Sequence, residues 1–216
     1  MPSMTGDVIK EYLSTPHTDG KMMDFGFFIA PDKLRSSKKN AAAIKVIRTL
    51  RRVLPGGVIN HTNSVALRNH PIAVSIETKP PRSQYEEDDA EVENGCTDRN
   101  MELQTGSWHV AHWALLARLT ALSRGRLSAL PFLPAVIVRN HEWSLAFSTR
   151  EGDKTVLWLE YGFGSTATAL GVYQIVWVLQ RLAKWAEDEY WPWFRRHALG
   201  VLGFWDTFSD SSSSDL

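Results

Sequence analysis

Cysteine is nearly missing from this chain. Cys96 stands alone among 216 residues, so no internal disulfide can form, and an intracellular setting, cytoplasmic or nuclear, is the expectation. Charge of one sign is missing too. Twenty-four basic and 24 acidic residues cancel to a formal net charge of zero, which argues against a body that holds nucleic acid by its overall field. No hydrophobic run approaches the length that spans a bilayer, and residues 1–21 hold no apolar core of a signal peptide, so no membrane partner is expected. Internal repeats are absent. What remains has an ordinary globular make-up, 44% hydrophobic and 22% charged, and is long enough for one domain with a sizeable core. The one excess is tryptophan: nine, all from Trp108 onward. That residue is mostly core or interface material.

The pattern along the chain predicts a loose lead-in over residues 1–20, one domain over 21–208 and a disordered Ser/Asp tail over 209–216. Met22 to Ile29 reads as a strand and Asn40 to Leu54 as an amphipathic helix closed by Pro55-Gly56-Gly57. Val58 to Thr62 reads as a short strand, and Ile72 to Lys79 as a longer, β-branched one. Residues 82–99 carry seven acids and few apolar groups, which predicts a disordered acidic loop. Met101 to Ser123 reads as a helix. Ala135 to Ser148 and Thr155 to Tyr161 read as two strands joined at Glu151-Gly152-Asp153. Thr168 to Glu189 reads as a helix burying Val172, Ile175, Val176, Leu179, Leu182 and Ala183. The fold class is α/β or α+β, with a central mixed β-sheet flanked by helices.

Two positions stand out chemically. In Ser75-Ile76-Glu77-Thr78-Lys79-Pro80 a strand ends in Glu-x-Lys, and alternation points Glu77 and Lys79 the same way. An isolated pair of this kind is explained by a strand tip meeting solvent. Asp24 is the other: a lone carboxylate in an apolar strand must be paired, hydrogen-bonded or metal-bound. Capping a turn before Lys33 or pairing with an Arg would satisfy it. If its strand neighbours that of Glu77, the two carboxylates converge beside Lys79. That set suits phosphodiester hydrolysis, with Asp24 and Glu77 on Mg²⁺ or Mn²⁺ and Lys79 orienting water or stabilising charge.

Taken in order, Met23-Asp24-Phe25, Ile59-Asn60-His61-Thr62, Ser75 to Pro80, Leu103-Gln104 to Trp108, Asn140-His141-Glu142-Trp143 and Gly171-Val172-Tyr173-Gln174 resemble the fungal branch of the PD-(D/E)XK nuclease-like proteins. The likeness runs from about residue 22 to 194. It implies a restriction-endonuclease-like core, with Asp24 and Glu77 as metal ligands, Lys79 as the catalytic lysine and Gln104 on a helix contributing to the site. Members with a Gln-x-x-x-Tyr helix have a phenol where this chain has Trp108, and an indole cannot accept a hydrogen bond in its place. Glu11 is a candidate for an acid on a preceding helix.

Other candidates are weighed beside these. Lys38, Lys39, Lys45, Arg48 and Arg52, with Lys33 and Arg51, form the one basic face suited to nucleic acid; solvation explains it equally. His109 and His112, three apart on a helix, suggest a zinc pair without a third ligand. Asn60, His61 and Thr62 suit turn capping. The leading reading is a metal-dependent nuclease-like hydrolase. One alternative keeps the scaffold for a metal-independent small-molecule enzyme of fungal biosynthesis, catalysing a cyclisation, condensation or isomerisation in an apolar Trp-rich pocket, with Glu77 and Lys79 as acid and base, His61, His141 or Tyr161 joining the proton transfers, and no cofactor. A further alternative is a non-catalytic interaction module using the aromatic stretch Trp191 to Phe208. Oligomeric state is not readable from the sequence.

Overall fold

The computed structural model describes residues 7–13, 23–34, 38–79 and 90–201, the side chains of residues 79, 90–101 and 160 excepted. Residues 1–6 and 14–20 of the expected lead-in, most of the acidic loop's first half, the tail, Trp205 and Cys96's side chain therefore lie outside the described residues. Residues 7–13 are not loose: Lys10–Tyr12 form a short helical turn, with Glu11 exposed on it, and Val8, Ile9 and Tyr12 are buried in the core.

A five-stranded sheet in chain order forms the centre: β1 (Phe25–Phe28), β2 (Ile72–Lys79), β3 (Leu133–Arg139), β4 (Glu142–Glu151) and β5 (Lys154–Ser165). β2 and β3 run parallel, and the other neighbouring pairs are antiparallel. The parallel pair is covered on both faces, which is why Ile72-Ala73-Val74 and Ala135-Val136-Ile137 are continuous apolar runs rather than alternating ones. The first strand is shorter than Met22 to Ile29, because Asp24 turns out of the ladder. The run from Ala135 to Ser148 is two strands, not one. Asn140, at φ 53°, reverses the chain, and Asn tolerates this left-handed conformation better than most residues. The expected hairpin forms at Gly152, whose φ of 59° suits the first central position of a two-residue turn. The expected strand at Val58 to Thr62 reduces to a single bridge, Val8 to Thr62.

Three helices carry the rest: α1 (Lys38–Leu50), α2 (Ala90–Ser123) and α3 (Ala169–Trp185). α2 starts eleven residues before the expected Met101, so Ala90 to Arg99, read as disordered loop, is helical. α2 connects β2 to β3 and packs on one face of the sheet. His109 bonds Ser75 of β2 and Ser148 of β4, and Trp113 also bonds Ser148. α3 lies on the opposite face, against Leu145 and Phe147 of β4, the residues that alternate with Ser148. Thr168 caps α3, its Oγ1 accepting from Gly171 N at 3.0 Å. The helical path continues through Ala186–Tyr190, Trp191–Trp193 and Phe194–Ala198 and returns to α2, where Ser123 Oγ donates to the His197 carbonyl. The tryptophans divide accordingly. Trp108, Trp113, Trp191 and Trp193 are core, whereas Trp158 and Trp177 face solvent.

Candidate functional site

Antiparallel pairing of Phe25 with Ile76 sets the geometry of the candidate site. One step further along that register, Asp24 stands opposite Glu77. The sequence condition for convergence, that the two strands be neighbours, is met. Asp24 does not continue the ladder. Its Oδ2 accepts from the Thr78 backbone N at 2.8 Å and from Thr78 Oγ1 at 2.7 Å, so the carboxylate replaces a main-chain carbonyl at the end of the sheet edge. Neither capping before Lys33 nor an Arg partner accounts for it. Among the described residues its Oδ1 makes no hydrogen bond.

Glu77 is buried, 3% exposed, and points toward α2, because Ser75 two residues earlier meets His109 on that face. α2 follows β2 as a crossover and runs back against its direction. One turn before His109, the fully buried Thr105 therefore comes level with Glu77, and Glu102 comes level with the end of β2. Gln104 is half-buried on this stretch, beside Thr105 and one turn before the fully buried Trp108. Lys79 pairs with Arg139 through the backbone; its side chain lies outside the described part.

Behind Glu77 the helix–sheet interface is polar in a way the sequence did not announce. His109 Nε2 meets Ser75 Oγ at 3.0 Å and Nδ1 meets Ser148 Oγ at 2.7 Å, while Trp113 Nε1 donates to the same Ser148 oxygen at 2.8 Å. A neutral imidazole satisfies this chain, with Ser148 donating to Nδ1 and Nε2–H donating to Ser75. Burial lowers the His109 pKa to about 4. His112 is pushed to about 3 by burial and then by His109, and its Nε2 lies 3.4 Å from the Tyr190 hydroxyl. His61 stacks on His112 with centroids 4.5 Å apart and meets Trp108 edge-on at 4.4 Å. Neither His61 ring nitrogen has a hydrogen-bond partner among the described residues. Burial first, then His112 and His109, hold its pKa well below the ordinary value. Both His109 nitrogens are engaged by serines, which removes the zinc pair suggested by spacing; among the described residues no cluster of three or more His, Cys, Asp or Glu is placed to hold a metal.

A family model described as the PD-(D/E)XK nuclease superfamily matches residues 2–191. The chain belongs to the PD-(D/E)XK nuclease superfamily. No curated protein and no solved structure matches it. The mixed sheet flanked by helices is the core this superfamily predicts, so fold and family agree.

Within this superfamily member the other candidates separate. Lys38, Lys39, Lys45, Arg48 and Arg52 are exposed along α1 and just after it. Arg51 is structural, donating to the Gly57 carbonyl and to Asn69 Oδ1, both at 2.6 Å. Asn60 is structural as well. Its Nδ2 donates to the Leu67 and His70 carbonyls and its Oδ1 accepts from Ile72 N, fixing the entry to β2. His141 is exposed and bonded to Thr166 Oγ1 at 2.8 Å, and Tyr161 is exposed at the far side of the sheet. With His61 inside the core, the three alternative acid–base residues do not come together. An apolar hollow of about 490 Å³ between Phe132, Leu145, Phe147, Trp177, Leu182 and Trp185 opens on the face away from Glu77. Sequence reasoning missed Thr78 and Ser75, although both sit in the same motif as Glu77 and Lys79.

Proposed function

We propose that this protein is a metal-dependent phosphodiesterase of the nuclease type, acting through Asp24, Glu77 and Lys79. The observation that carries the reading is the Thr78 clasp, which ties the Asp24 carboxylate to the residue next to Glu77 near the C-terminal end of β2. Two carboxylates and no histidine or thiol make a hard oxygen donor set. Mg²⁺ suits it, since that ion is held by one or two carboxylates and keeps waters and phosphate oxygens as its other ligands. When bound, it supplies Lewis-acid charge and a water of lowered pKa. Thr78 orients Asp24 by donating two hydrogen bonds to Oδ2, one from its backbone N and one from Oγ1. Glu77 is buried on the face of β2 that α2 covers. Lys79, next on the same side of an alternating strand, is assigned to the attacking water or the charge that builds on phosphorus. The exposed cations of α1 are assigned to the phosphate backbone, so binding is expected to weaken as salt rises.

Titration of Mg²⁺ and Mn²⁺ by calorimetry tests this, comparing wild type with Asp24→Asn/Glu77→Gln. Labelled single- and double-stranded DNA and RNA are then incubated with wild type, the double variant and Lys79→Met. The expected outcome is metal binding lost in the double variant and retained in Lys79→Met, whose cleavage falls by about 10²–10³. Metal-independent behaviour of the wild type, with no cleavage of any substrate, would refute the reading.

A further inference from the structure

We infer that the outer face of α3, with the adjoining part of β5, joins a second copy of this chain in a two-fold dimer. α3 carries no charged residue over twelve positions, from Ala169 to Gln180, yet most of that stretch is exposed. Only Gly171 and Ile175 are buried within it. A helix that is apolar nearly all round is ordinarily covered on more than one side. The sheet covers one side here, and Leu170, Tyr173, Val176 and Trp177 point away from it, with Tyr173 75% and Trp177 62% exposed. Trp158 and Tyr161 of β5, an edge strand of the sheet, continue the patch, Tyr161 being 75% exposed.

Size favours a protein partner. With large aromatics offering about 150–250 Å² each, these six side chains present on the order of 700 Å², close to the ~800 Å² that each partner contributes to a standard interface. Shape favours a copy of the same chain. Trp177 stands between two hollows, one of about 840 Å³ lined by Tyr161, Gly162, Gly164 and Tyr173, the other of about 490 Å³ beside Phe147 and Trp185. One face thus carries both projecting rings and the hollows to receive them, the self-complementarity that a two-fold contact requires. Charge permits it as well, because two copies of net charge zero do not repel. A lipid surface is disfavoured. α3 has only Arg181 and Lys184 as cations, and the Arg181 guanidinium lies over the Trp177 ring at 5.7 Å. The inference does not depend on the nuclease reading.

Sedimentation equilibrium of the full chain at about 10 µM, above the weak end of affinities for interfaces this size, reads the mass directly. The expected result is twice the 24.4 kDa of one chain. Trp177→Glu and Tyr173→Lys are expected to sediment as single chains with unchanged far-ultraviolet dichroism, the dissociation constant rising at least about 30-fold. Val53→Glu, which places a charge at an exposed apolar residue away from this face, is expected to stay dimeric. A wild type of single-chain mass would overturn the inference, whether another protein or residues 202–216 cover the face instead. Dimers that persist in both α3 variants would overturn it too.

Discussion

Asp24 and Thr78 form the smallest unit on which the candidate site depends. The two bonds to Oδ2 differ in removability: the one from Thr78 N belongs to the backbone, the one from Oγ1 to a side chain. Thr78→Val deletes the second while keeping shape and β-branching. Unfolding in urea is expected to report a loss of about 1–2 kcal/mol, in the range of a hydrogen bond to a charged group, together with weaker metal binding. An unchanged urea midpoint with unchanged metal affinity would mean the clasp does not orient Asp24. Much of this site is legible in the sequence, because Glu77 and Lys79 are two residues apart on one strand and local alternation relates them. Asp24 is 54 positions from Thr78. Nothing local connects those two residues, so the sequence carries no sign of that contact.

At the scale of elements, the junction of β5 and α3 is closely packed. A Cβ on Gly171 would fall on the Ser165 carbonyl oxygen, and one on Gly164 would reach the Gly171 oxygen at 2.7 Å. Backbone meets backbone there, so no side chain can give way. Gly171→Ala is expected to destabilise the fold by ~3 kcal/mol or more and to loosen α3, read as a lowered urea midpoint and increased amide exchange in Ala169–Trp185. Wild-type stability in that variant would mean the helix can shift freely. The same helix shows where periodicity misleads. Its position and N-cap are readable from Thr168 onward, but Val172, Val176 and Ala183, expected inside, are exposed. An apolar stripe on three sides does not say which side meets the sheet; only the packing of Gly171 and Ile175 against β5 chooses it.

The whole molecule is expected to weaken in mild acid. His61, His109 and His112 are neutral in the folded chain, with pKa values well below 6.5 for His61, about 4 for His109 and about 3 for His112. In the unfolded chain each takes up a proton near pH 6.5. Below that pH the unfolded state binds more protons, so stability is full above about 6.5 and is lost as pH falls toward the folded-state values. Three such groups imply a loss on the order of 4 kcal/mol between pH 7.5 and 5.5, measurable by urea unfolding at the two pH values. His61→Phe keeps the contacts with Trp108 and His112 and removes two unbonded nitrogens. It is expected to be as stable as wild type at pH 7.5 or more so, and to reduce the pH-dependent loss by about a third. A flat stability profile over this interval would contradict the buried, neutral state of these residues.

The sequence by itself determined the period and order of the main elements, the hairpin at Gly152, and the place of Glu77 and Lys79 two residues apart on one strand. These follow from spacings of a few residues that the backbone imposes wherever the segment lies. Only the tertiary structure decided that Asp24 reaches Thr78, that His109 is held between two serines from different strands, and that α3 turns its aromatic side outward. Each of these depends on which distant segments share a face, and that is settled by register and packing across the sheet.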